Sequence, residues 1–124
     1  MIAGEKEQVW CITVPYMTKP VKIRMSSQAI HIDGYRLPLG ERILDCSIKD
    51  RWMMVHSCSC SMTDDDGNGT RYTELVDVRS KEVRILNHKA ECKVDLLNQT
   101  VTWPGQNICY TFKDISEMAY DQYP

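Results

Sequence analysis

The sequence predicts an all-β domain: an antiparallel meander of about nine or ten short strands forming a sandwich or barrel, with a short C-terminal helix as the one exception. Three observations predict it. Apolar residues recur with a period of two, and no window of about a dozen residues carries a helical stripe. The periodic segments are rich in Val, Ile, Thr, Tyr and Trp, which suit a pleated, half-buried surface. The separators are too short for the crossover of about a dozen residues that a parallel pair needs, so neighbouring strands run antiparallel.

Taken in order, the expected strands are Gln8–Val14, Val21–Met25, Ala29–Asp33, Arg42–Ile48, Trp52–Met62, Arg71–Val78, Val83–Leu86, Ala90–Leu97, Thr100–Trp103 and Asn107–Phe112. Turn chemistry divides them at Asp33-Gly34, Leu39-Gly40, Lys49-Asp50, Asp66-Gly67-Asn68-Gly69, Asn98-Gln99 and Pro104-Gly105. The Arg79-Ser80-Lys81-Glu82 turn sets Val76 and Val78 near Ile85 and Val83 in a hairpin. Lys113–Tyr120 is the helical exception, with Asp114 as its N-cap and Glu117 three residues on. In the long central strand, period two places Trp52, Met54, His56, Cys58, Cys60 and Met62 on one face, expected to point inward. Met53, Val55, Ser57, Ser59 and Ser61 take the other.

The 124 residues fit one domain, with enough apolar surface for its own core. Net charge is −2 and the charges are scattered, the longest like-charge run being Asp64–Asp65–Asp66. A nucleic-acid partner is not expected, because holding phosphates takes a clustered positive field. Nor is membrane insertion, since no stretch approaches the roughly 20 apolar residues that span a bilayer. Met1–Glu7 lacks the basic start and apolar middle of a signal peptide, which fits a cytosolic protein or an exported one already trimmed.

Six cysteines, Cys11, Cys46, Cys58, Cys60, Cys92 and Cys109, are an even number spread over the chain. They fit three disulfides in an oxidising compartment, the alternative being reduced thiols that serve as small core hydrophobes. Cys58 and Cys60 lie two apart on a strand, with Cα atoms about 6.6 Å apart and parallel side chains, badly aimed for one another. No local hairpin sets cysteine against cysteine, so any bridges are expected to be non-local.

Asp64-Asp65-Asp66-Gly67-Asn68-Gly69 has oxygen ligands at alternate positions and a glycine for the sharp turn, as a calcium loop requires. Asp64, Asp66 and Asn68 would be the ligands. An EF-hand is excluded, because the twelfth position is Leu75 and the flanks are strands. The competing reading is a soluble turn made of turn-forming residues. His56-x-Cys58-x-Cys60, with His88-x3-Cys92, offers zinc-type ligands without a standard spacing, so a core histidine is the better reading.

Catalytic motifs are missing: there is no G-x-S-x-G, Gly-rich phosphate loop or H-E-x-x-H. Asp45, Asp50, Asp77 and Asp95 are scattered carboxylates that a small hydrolase could use, a distant alternative. Asn68-Gly69-Thr70 and Asn98-Gln99-Thr100 are glycosylation sequons, meaningful only in a eukaryotic secretory route.

Two segments are suited to binding. Gly34-Tyr35-Arg36-Leu37-Pro38-Leu39-Gly40 brackets Tyr35 and Arg36, residue types enriched at binding hot spots, although its leucines could equally cap a sandwich. The acidic tip of Asp64, Asp65, Asp66 and Asn68 could enter a basic cleft. The expected function is therefore non-catalytic protein binding in a periplasmic or secreted setting. An inhibitor or toxin-immunity role, with an enzyme or toxin as partner, fits that build by analogy alone. A calcium-dependent β-module is the alternative. No cofactor other than calcium is expected.

Overall fold

The computed structural model describes residues 7–59 and 70–119. Its elements are β1 (Gln8–Ile12), β2 (Val21–Met25), β3 (Ile30–Ile32), β4 (Tyr35–Arg36), β5 (Arg42–Lys49), β6 (Trp52–Ser59), β7 (Thr70–Asp77), β8 (Glu82–Ile85), β9 (Lys93–Asp95), β10 (Thr100–Trp103), β11 (Ile108–Thr111) and α1 (Phe112–Glu117). The fold is all-β and every strand pair is antiparallel.

The strands form three consecutive meanders. The first sheet runs β1-β2-β3-β4, the middle sheet β5-β6-β7-β8, and the third β11-β10-β9. Two cores follow from how they stack. Val21, Ile23, Ile30, Ile32 and Leu37 of the first sheet and its flank pack on Ile43, Met53, Val55, Val76 and Val83 of the middle sheet. Trp52, Leu75 and Leu86 pack instead against Val101, Trp103, Phe112 and Ile115, from the third sheet and the helix. The middle sheet thus has apolar cover on both faces, as sheets in layered β-folds require.

That double cover corrects the inward face assigned to β6. Met53 and Val55 lie in the first core and Ser57 is fully buried on their face, while Trp52 lies in the second core. Alternation distinguishes in from out only when one face meets water. A bulge in β5 has a related effect. The register shifts between Ile43 and Asp45, leaving Leu44 as the extra, exposed residue. The inserted residue brings Cys46 and Ile48 back to the face of Ile43, where they pack on the first core.

Turn chemistry explains the remaining differences. Asp33 and Gly34 both have positive φ, 48° and 84°, as a two-residue type I′ hairpin turn requires. They fold Tyr35–Arg36 back onto β3 as a short strand within the segment expected to be a loop. The β7–β8 hairpin forms with Val76 opposite Val83 and Glu74 opposite Ile85, a shift of two that keeps every side chain on its face. Its four-residue loop ends on Lys81 at φ 65°; the β9–β10 and β10–β11 loops end likewise on Gln99 at 56° and Asn107 at 55°. Thr111, rather than Asp114, caps the helix, accepting from the Asp114 backbone N–H at 3.1 Å. No helix among the described residues is long and apolar enough to cross a membrane.

The three-disulfide framework does not form. Cys11, Cys46, Cys92 and Cys109 are free thiols. The register gives the physical reason, since Cys11 faces Lys22, Cys46 faces Val55 and Cys109 faces Thr102. Burial pushes the Cys46 thiol up to about 12, helped by the charge of Asp45, and the Cys92 thiol up to about 11. Both therefore stay protonated and poorly reactive at neutral pH.

Two measurements follow. Alkylation under denaturing, non-reducing conditions is expected to add at least four groups by intact mass; no addition would restore the disulfide framework. Trp103 is wholly buried, donates its indole N–H to the Leu86 carbonyl at 3.0 Å and meets Tyr110 edge to face. Trp103→Ala is expected to lower the unfolding free energy by about 3–5 kcal/mol in a urea titration. Leu97→Ala, at a side chain 71% exposed, should stay within about 0.5 kcal/mol.

Candidate functional site

Two turns and a hairpin converge on one surface that carries exposed aromatic rings and cations. Val14, Pro15, Tyr16 and Met17 form a β-turn closed by the Met17 N–H on the Val14 carbonyl at 3.1 Å. Proline in second place and positive φ in third is the type II pattern, which asks for glycine in third place. This turn has Tyr16 there, at φ 67°, with its side chain 90% exposed. A bulky residue in the left-handed region costs about 1–2 kcal/mol. Tyr16 buries almost nothing to offset that cost.

Beside it stands the β7–β8 loop. The Arg79 guanidinium lies 5.9 Å from the centre of the Tyr16 ring, and the Lys81 ammonium lies 5.9 Å from that of Tyr35. Lys81 is held by its own backbone N–H on the Asp77 carbonyl at 2.7 Å. Tyr35 is 49% exposed. Two exposed aromatic rings, each beside a cation, form one patch contributed by the β1–β2 turn, β4 and the β7–β8 loop.

Of the residues expected to bind a partner, Tyr35 belongs to this patch. Arg36 does not: it pairs with His31 across β3, so the alternation of the strand puts it on the opposite face from Tyr35. Asp64, Asp65, Asp66 and Asn68 lie outside the described residues, and with them the calcium loop. Tyr16, Arg79 and Lys81 were not singled out by motif. The legible signal was a Pro-Tyr pair where Pro-Gly would be ordinary.

Comparison with family models, with curated proteins and with solved structures returns no match. Site geometry is therefore the ground for any functional reading.

A second polar feature lies where the first core ends. Ser57 and Glu74 are both buried, on the faces of β6 and β7 that look toward the first sheet. The Ser57 hydroxyl donates to Glu74 Oε1 at 2.5 Å and accepts the Gly40 backbone N–H at 3.1 Å. Glycine is needed at position 40: a Cβ there would lie 2.6 Å from Ser57 Oγ and 2.9 Å from the Cys58 carbonyl oxygen. Burial raises the Glu74 carboxyl to about 7, against the Ser57 hydrogen bond and the charge of His56, which favour ionisation.

His56 Nδ1 lies 2.7 Å from Asp45 Oδ1 on a partly exposed surface, so it is not the core histidine expected. Among the described residues no group of three potential metal ligands comes together. Cys60 lies outside them. Asp45, His56 and Ser57 have the side chains of a hydrolytic triad, but consecutive strand residues point to opposite faces. Ser57 is bonded to Glu74 and Gly40 instead.

The Glu74 carboxyl makes stability depend on pH. Its folded pKa lies above its unfolded value of about 4.5, so the folded state binds the extra proton between about 4.5 and 7. Stability is expected to fall as pH rises through that window, by roughly 3 kcal/mol at most. In denaturant titrations Glu74→Gln should remove most of this decline; an unchanged slope would place it elsewhere.

Proposed function

We propose that this chain is a non-catalytic protein-binding domain that recognises an acidic surface of its partner through Tyr16, Tyr35, Arg79 and Lys81. The observation that supports this best is Tyr16, an aromatic side chain held in water by a backbone conformation that glycine would adopt more cheaply. Strain without compensating burial is a mark of function, not of packing. Tyrosine and arginine are also the residue types that dominate binding hot spots. The two cations beside these rings favour an acidic partner by charge complementarity.

The inhibitor or immunity-type role in an exported compartment drew its support from disulfides. With four thiols free, the proposal rests on the patch and includes no compartment. The acidic tip, Asp64 to Asn68, is the competing contact surface within the same class of function.

The test begins with Tyr16→Gly. It should leave stability unchanged or raise it by up to about 1 kcal/mol, because it relieves the left-handed strain. Proteins captured by the unaltered chain from its native extract are then titrated against Tyr16→Gly/Tyr35→Ala. An affinity loss of at least about tenfold is expected, steeper at low salt. Full affinity in this double variant, with loss on reversing Asp64, Asp65 and Asp66 to lysine, would move the interface to the acidic tip.

A further inference from the structure

Between the strap that joins the first sheet to the middle one and the end of the middle sheet lies a cavity of about 300 Å³. Pro38, Leu39 and Gly40 bound it on one side and Tyr72, Glu74 and Ile85 on the other. Glu41 and Ser59 complete the lining. The volume is at the small end of ligand sites, and the walls have their character, combining apolar and aromatic residues with a few polar groups.

The charge of the lining is one-sided. Two carboxylic acids, Glu74 and Glu41, border it, and none of the described lining residues is basic. Glu74 is almost wholly buried, yet among the described residues its ionised form is favoured by one hydroxyl donor and the charge of His56 alone. A buried carboxylate with so little compensation is costly unless it takes up a proton or a cation joins it. Apolar walls at Pro38, Leu39 and Ile85 do not suit a hydrated metal ion, which asks for several oxygen ligands. They suit an ammonium group carrying an alkyl chain, with the aromatic ring of Tyr72 in the lining.

We propose that this cavity is a binding site for a primary alkylammonium group, with the Glu74 carboxylate as its counter-ion and Leu39, Tyr72 and Ile85 covering the alkyl chain. The site is separate from the tyrosine patch, and neither reading depends on the other. Ser57 and Gly40 act as positioning residues. The Gly40 N–H fixes the Ser57 hydroxyl, and that hydroxyl fixes one carboxyl oxygen. The ammonium binds the ionised form, so binding displaces a proton from Glu74 at acidic pH. Of the charged groups around Glu74, Glu41 shares the lining, and His56 on β6 favours ionisation of the carboxyl.

The probe is n-butylammonium, with n-butanol as its neutral counterpart, followed by saturable NMR shifts of Leu39, Tyr72 and Ile85. At pH 8 the amine is expected to give saturable shifts at these residues and the alcohol none. Its affinity should fall about tenfold for each pH unit below about 7. Glu74→Gln should lower it at least tenfold and remove the pH dependence. Leu39→Trp fills the cavity and leaves the carboxyl in place; it should abolish binding and supplies the same test if Glu74→Gln does not fold. N-acetyl-lysine methylamide, run beside the free amine, separates the sources of the group. Comparable binding admits a lysine side chain of a partner, and binding of butylammonium alone assigns a free amine. Equal shifts with n-butanol, full affinity in Glu74→Gln, or no saturable shift at pH 8 would each overturn the proposal.

Discussion

Apolar cover on both faces of the middle sheet is the constraint from which the rest of the structure follows. An antiparallel sheet with one wet face needs one apolar set of side chains. This one needs two, and β6 and β7 supply them at adjacent positions: Trp52 beside Met53, and Leu75 beside Val76. The first sheet and the third sheet with its helix are each anchored to one of these sets. Trp52 meets Phe112 edge to face at 5.4 Å, joining the middle sheet to the start of α1. Neither outer layer could keep its position without the sheet between them.

The same constraint decides where polar groups must find partners. Asp77 closes β7 with its side chain mostly buried, and the Arg51 guanidinium answers it at 2.6 Å while lying 4.6 Å from the centre of the Trp52 ring. Asp77 also accepts the Arg79 backbone N–H at 3.0 Å, so the loop that presents Arg79 and Lys81 is tied to a buried charge. In the middle of the same strand Glu74 has a hydroxyl as its hydrogen-bond partner, not a cation. The two acids of β7 therefore differ in kind. Asp77 is neutralised within the fold and shapes a loop, whereas Glu74 keeps much of its desolvation cost and borders a cavity.

How much of this was legible depends on the range over which each signal acts. Strand existence and turn position are local, and they were read from period two and from pairs such as Asp33-Gly34, Asn98-Gln99 and Pro104-Gly105. The Asp-Gly pair even carried the missed strand, because a type I′ turn after β3 obliges Tyr35–Arg36 to pair back on it. Which face of β6 lies inward is not local. Apolar residues at Trp52, Met53, Met54 and Val55 are ambiguous until one knows that two layers pack on the sheet. Disulfides fail for the same reason, since pairing depends on where strands end up and the observed register opposes Cys11, Cys46 and Cys109 to other residues. The Glu74 cavity was likewise invisible. A glutamate between Thr73 and Leu75 looks like a solvent-facing strand residue until the strap carrying Gly40 closes over it.

That strap links the two candidate sites by construction. The seven residues from Gly34 to Gly40 comprise β4 and most of the link that leads from the first sheet to the middle one. The Leu37 N–H on the Ile30 carbonyl at 2.9 Å holds its middle, with the Leu37 side chain buried in the first core. The Gly40 N–H on Ser57 holds its far end. Tyr35 projects from the near end toward Lys81, and Pro38, Leu39 and Gly40 wall the cavity at the other. A segment pinned at both ends and in the middle does not behave as a free loop, because moving it would expose Leu37 and break two backbone donors from their acceptors. Recognition residues set on such a strap lose little conformational freedom when a partner docks. A short strand and its flanks can therefore serve as a binding element although they bury little surface of their own.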